Sequence, residues 1–184
     1  MPQNNKVYIT IGRHEHYGSD TAIERYDMLV AYQTGNMLAA VLPPCETVYH
    51  SPLARAVETA RFEALGLNCN HLIETEFLDE DAPKNTVQKF INTLLQNTSE
   101  DVRYYHFVTH LPVVEKLGLP FLGAGDLCLL TADNWSEMLA ENFTVQVITA
   151  PPVLPEIWHK LAITQAEFDK LSSDEIYQKV KSLL

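Results

Sequence analysis

The chain has 184 residues, 46% of them hydrophobic and 20% charged, an ordinary composition for one globular domain with a buried core. Its formal net charge of -11 makes nucleic acid and anionic membrane surfaces poor partners. The longest apolar stretch, residues 117–132, is broken by Pro120, three glycines and Asp126 and does not suit a bilayer span.

Residues 1–5 are polar and lead straight into residues 6–11 (KVYITI), a β-branched and aromatic run that predicts a strand and leaves no room for a secretory leader. Residues 22–42 carry apolar positions at helical spacing and stop at Pro43-Pro44. Residues 46–50 predict a second strand. Ser51-Pro52 then has the form of a helix start, serine as cap and proline at the first position, for a helix running to Gly66. A strand over 71–78, a helix over 84–97, a strand over 102–109 and a short helix after Pro112 follow. Two later strands are expected at 126–131 and 143–149.

This strand–helix alternation predicts an α/β fold, a three-layer α/β/α arrangement with a mostly parallel central sheet. Residues 1–154 form the expected domain. Beyond the proline-rich connector at 150–155, residues 155–184 form a helical extension. It contains two short helices opened by capping boxes, Thr164 with Glu167 and Ser172 with Glu175. The stripe Ile176, Val180, Leu183 and Leu184 either packs back on the domain or supports a homodimer through these C-terminal helices. Cys45, Cys69 and Cys128, odd in number and without metal-like spacing, fit a reduced, cytoplasmic setting.

The chemistry gathers where strands end. The first strand runs into Gly12-Arg13-His14-Glu15, the second into His50-Ser51-Pro52-Leu53-Ala54-Arg55, and the strand near residue 105 into Thr109-His110-Leu111-Pro112. In open α/β sheets ligands bind beyond the carboxyl ends of strands, so three segments deliver His14, His110, Arg13 and Arg55 to one edge. Four of the five arginines (Arg13, Arg25, Arg55, Arg61) lie in the first third of the chain. Arg25 and Arg61 have Glu24, Glu58 and Glu63 near them in sequence as surface partners. A neutral imidazole can attack phosphorus, and fixed cationic donors hold the phosphoryl oxygens, so this set suits phosphoryl transfer. Arg55, in the first turn of its helix, adds the positive end of a helix dipole.

Arg13-His14 after a first strand, Ser51-Pro52-Leu53-Ala54-Arg55-Ala56 with Thr59-Ala60, and Thr109-His110-Leu111-Pro112 together resemble the histidine phosphatase superfamily, the phosphoglycerate-mutase-like phosphatases, over roughly residues 6–150. The small size and the wording His-Leu-Pro are most similar to the phosphohistidine phosphatase branch. The resemblance implies that His14 is the nucleophile and that Arg13, Arg55 and His110, with Ser51 beside them, form the phosphate pocket. It implies a metal-independent phosphatase without a cofactor, acting on a phosphorylated small molecule or a phosphohistidine protein. The alternative is a catalytically weak phosphate- or phosphoprotein-binding domain of the same fold.

Glu15 departs from the glycine most common after the Arg-His pair, and a carboxylate there would repel phosphate or raise the histidine pKa unless it turns away. His14 and His16, two apart on an extended segment, point to opposite faces, which argues against a shared metal. For the general acid, Glu80 is the first candidate and Asp81 the second; the phosphohistidine phosphatase branch manages without a comparable acid. His50 and His106 are expected in structural roles, and Trp135 and Trp158 in packing.

Overall fold

Side chains alternate sides along a strand, and in this protein both sides of the central strands are buried. On β1 (Val7–Arg13), Val7, Ile9 and Ile11 enter one core while Thr10 faces the other way. On β4 (Tyr104–Thr109), Tyr105 and Phe107 join the first core, and Tyr104 and Val108 join a second. This two-sided burial requires a helical layer on each face.

The computed structural model describes residues 6–17 and 23–184. The remaining elements are α1 (Arg25–Val41), β2 (Thr47–His50), α2 (Ala54–Leu67), β3 (Leu72–Glu74), a 3-10 turn (Glu76–Leu78), α3 (Lys84–Gln96), α4 (Leu111–Lys116), β5 (Leu127–Ala132), α5 (Trp135–Leu139), β6 (Thr144–Ile148), α6 (Pro155–Leu161), α7 (Gln165–Phe168) and α8 (Ser173–Lys181). The six strands form one sheet in the order β3-β2-β4-β1-β5-β6. Helices α3, α4 and α5 cover one face, α1 and α2 the other, as the three-layer expectation requires.

The four strands β3, β2, β4 and β1 are parallel; β5 runs antiparallel to β1, and β6, antiparallel to β5, returns to the direction of the four. The reversal has a local cause. Helix α4 has only six residues and does not carry the chain back across the sheet. The following loop stays at the edge where β1 ends, with Arg13 N–H donating to Asp126 O at 2.9 Å, so β5 enters there and runs against β1.

Several boundaries differ from expectation. The α2 helix begins at Ala54, not at Ser51-Pro52, because the Ser51 hydroxyl is engaged by His110 and by Leu53 N–H. It also continues past Gly66 to an end at Asn68, which adopts the left-handed conformation (φ 54). Gly66 serves packing instead: a Cβ there would stand 2.2 Å from Tyr32 O, and one on Gly35 2.2 Å from Glu63 O. Helices α1 and α2 thus cross backbone to backbone. Gly35→Ala is expected to push them apart and lower stability by about 1–3 kcal/mol, measurable by urea denaturation. The expected strand over 71–78 is a strand only through Glu74, because Thr75 caps a 3-10 turn. Helices α5 and α6 were not anticipated. Ala22, the first residue of the predicted first helix, lies outside the described residues.

Helices α6, α7 and α8 pack on α1 and α2. Ile157, Leu161, Phe168, Ile176 and Val180 are buried with Leu29, Phe62 and Leu65. Both capping boxes form as read from the sequence. The apolar stripe that suggested a homodimer is therefore largely filled by the chain's own helices. The same extension corrects the arginine pairing. Arg61 binds Asp174 at 2.9 Å and lies over the Tyr177 ring, Arg25 donates to Leu171 O, and Glu58 accepts from Ser173. Among the described residues no helix is long and apolar enough to cross a membrane.

Candidate active site

Strand register assembles the site. Arg13 of β1 lies opposite Thr109 of β4, and His14 N–H continues the ladder to Thr109 O at 3.0 Å. The next residue on each strand, His14 and His110, therefore emerges side by side, with ring centroids 5.0 Å apart. His50 of β2 lies opposite Val108, and Ser51 N–H donates to Val108 O, which places Ser51 beside His110. Their contact, His110 Nε2 to Ser51 Oγ, measures 2.7 Å. Helix α4 departs to one face of the sheet and α1 and α2 to the other, so the site lies at a switch point where chain ends diverge.

Two contacts fix the tautomer of His14. Its Nδ1–H donates to Glu15 O at 2.6 Å, since a carbonyl only accepts, and Nε2, carrying the lone pair, accepts from Arg55 Nε at 3.1 Å. Burial, helped by the charges of Arg55 and Arg13, lowers the His14 pKa to about 4. Burial, then His14 and the two arginines, lowers His110 to about 3. Both rings are thus neutral near pH 7 in the free protein. An arriving phosphoryl dianion offsets the effect of the two arginines and favours a proton on His110. Arg13 donates through Nη1 to Leu122 O at 3.0 Å. Among the described residues, Arg13 Nε and His110 Nδ1 are buried with no hydrogen-bond partner.

The two depressed histidines carry a stability consequence. Below pH 6.5 the unfolded chain takes up protons that folded His14 and His110 refuse until about pH 4 and 3, so stability falls as pH drops through that window. The loss is about 1.4 kcal/mol per pH unit for each fully shifted group. His110→Gln is accordingly expected to gain melting temperature relative to wild type between pH 7 and 5, seen by paired thermal scans.

Glu80, the first-choice acid, is brought to this group: its Oε2 accepts from Arg55 Nη2 at 2.5 Å, and its side chain is 42% exposed. Asp81 is exposed, and among the described residues no contact joins it to the group. Glu15 turns inward. It is 2% exposed, lies against Gly125, and burial together with Glu63, Asp27 and Asp126 raises its pKa to about 9. The carboxyl is therefore neutral at neutral pH and does not repel phosphate. Gly125 makes the room: a Cβ on it would stand 2.3 Å from a Glu15 oxygen. His14 is buried and His16 exposed, consistent with their opposite orientations. His50 donates to Ser51 O at 2.9 Å, and His106 is held by Thr10 and Glu63. Trp135 and Trp158 pack in the cores.

Three residues support the site without having been singled out. Thr59 accepts from Glu15 N–H at 3.1 Å and donates to Arg55 O at 2.9 Å, tying the segment after His14 to α2. Tyr17 lies edge-on to His14 and under the Arg55 guanidinium at 5.1 Å. Lys116 donates to Glu80 O at 2.7 Å and to Ala82 O at 2.9 Å, pinning the Glu80 loop to α4. Thr59 belongs to the Thr59-Ala60 pair that shares in the family resemblance; no sequence signal marks Lys116.

No family model and no curated protein matches the sequence. Solved structures do. The chain is similar to the protein histidine phosphatase SixA complexed with tungstate, with TM-score 0.66 and 19% identity over 78% of this chain and 97% of that one. A mycobacterial glucosyl-3-phosphoglycerate phosphatase gives TM-score 0.56 and 12% identity, over 79% and 98%. Phosphoglycerate mutase from Plasmodium falciparum gives 0.53 and 21%, over 82% and 94%. The chain therefore has the phosphoglycerate-mutase-like fold of the histidine phosphatases.

Proposed function

We propose that the protein is a metal-independent phosphatase that passes a phosphoryl group through His14 to water. The observation that carries this reading is the convergence on one neutral, tautomer-fixed imidazole of Arg55, Arg13 and His110, two of them with a buried nitrogen left unpartnered. The names of the similar structures, a protein histidine phosphatase and a sugar-phosphoglycerate phosphatase, support the same chemistry.

In the first step the Nε2 lone pair attacks phosphorus as the bond to the leaving group breaks; the leaving atom keeps the electron pair and takes a proton from Glu80, which enters the step as the carboxylic acid once Arg55 has left it for the phosphoryl oxygens. Arg55 turns from Nε2 to the phosphoryl oxygens, where Arg13 and His110 complete the cradle. In the second step water attacks phosphorus, the phosphorus–nitrogen bond returns its electrons to Nε2, and Glu80 accepts the proton from water. Ser51 orients His110.

An alkoxide leaving group needs that proton more than an aryl oxide does. Glu80→Gln is thus expected to slow an alkyl phosphate roughly a hundredfold or more, and p-nitrophenyl phosphate much less. Lys116→Met, which releases the Glu80 loop, is expected to lower kcat on the alkyl ester roughly tenfold with little change in KM. Equal effects of Glu80→Gln on both leaving groups contradict its role as acid.

The reading is tested by assaying the purified chain on p-nitrophenyl phosphate, a phosphohistidine peptide and sugar phosphates, with EDTA and with orthovanadate. Hydrolysis that survives EDTA and is inhibited by vanadate is expected. A chain that is inert yet binds phosphate is instead a binding domain, and activity lost to EDTA and restored by zinc is that of a metallohydrolase.

A further inference from the structure

The segment after His14 holds a second group of ligating atoms. Glu15 and His16, with Asp27 in the first turn of α1, each offer one donor atom, and the three lie within 4.8 Å of one another. His16 Nδ1 and Asp27 Oδ2 are 3.7 Å apart. Independently, Glu15 is 2% exposed and its Oε1 has no hydrogen-bond partner among the described residues, a costly condition for a buried carboxyl oxygen. The carboxyl that carries this unpartnered oxygen is one vertex of the triangle.

We propose that Glu15, His16 and Asp27 bind one divalent first-row cation such as Mn2+, distinct from the phosphoryl pocket. One imidazole and two carboxylates make a borderline-to-hard donor set, and the exposed side of His16 leaves room for water to complete the shell. A modest contraction of the triangle brings all three atoms to bonding distance of a common centre.

The consequence falls on the nucleophile. Residues 14–16 belong to neither β1 nor α1, and the Glu15 carbonyl is what orients His14. A cation held by Glu15, His16 and Asp27 ties that segment to α1 and restrains the carbonyl. It takes no part in the displacement, so its binding is measurable whether or not the protein turns over substrate.

The test uses Mn2+ alone, because Cys45 and Cys69 lie in one cluster and thiols hold softer zinc. The full chain, freed of metal with chelator, is titrated with Mn2+ while the free-ion electron paramagnetic resonance signal is followed. His16→Gln and Asp27→Asn are titrated in parallel. Wild type is expected to take up one equivalent, and each variant to bind at least about tenfold more weakly, since loss of even an outer-shell partner costs that much. His16 is exposed, so its replacement does not threaten folding, and unchanged melting temperature in the metal-free state confirms this. Absence of saturable binding by wild type at millimolar Mn2+, or wild-type affinity in either variant, overturns the site.

Discussion

His14→Ala is expected to reduce hydrolysis of p-nitrophenyl phosphate by at least about a thousandfold in kcat, the scale of loss when a covalent nucleophile is removed. The loss belongs to kcat because Arg13, Arg55 and His110 remain to bind phosphate. His14 meets three requirements together. Its Nε2 carries the lone pair because Nδ1–H is committed to Glu15 O. Its pKa, lowered to about 4 by burial and then by Arg55 and Arg13, keeps that lone pair free at neutral pH. Its position beside His110 follows from strand register and not from a flexible loop. Vanadate affinity within a few-fold of wild type, alongside lost turnover, separates lost chemistry from lost binding. Equal turnover by wild type and variant removes His14 from the role.

The second large effect concerns stability. His106 and Glu63, 0% and 2% exposed in their side chains, meet at 2.7 Å between β4 and α2, and the other ring nitrogen of His106 contacts Thr10, itself bonded to Tyr104. Removing one partner of such a pair leaves a buried group without compensation, so His106→Ala is expected to cost about 3–5 kcal/mol in urea denaturation. Glu63 also lies near Glu15, so leaving it without its partner disturbs the wall behind the site. The double variant Glu63→Leu with His106→Phe, which removes both polar groups, is expected to recover much of the loss. A cost below about 1 kcal/mol for His106→Ala would show that the network contributes little.

Much of this was legible because it depends on local pattern. Strand–helix alternation and the stop at Pro43-Pro44 marked the layers, and Thr164-Glu167 and Ser172-Glu175 formed the boxes their spacing announces. The meeting of His14, Arg55 and His110 could be read from strand ends because a parallel sheet aligns them. What escaped the sequence depends on tertiary partners. Gly66 looks like a helix stop until α1 lies against it. Ser51 looks like a cap until His110 claims its hydroxyl. Arg25 and Arg61 find their partners more than a hundred residues away, in the extension. The inward turn of Glu15 depends on the space over Gly125, which no local pattern encodes.

The most direct test is to trap the phosphorylated protein. Wild type mixed rapidly with labelled p-nitrophenyl phosphate and quenched in alkali should carry one acid-labile, alkali-stable phosphoryl group, mapped by peptide mass spectrometry to His14 and missing from His14→Ala. Turnover without such a label under rapid quench, or a label on another residue, would contradict a covalent intermediate on His14.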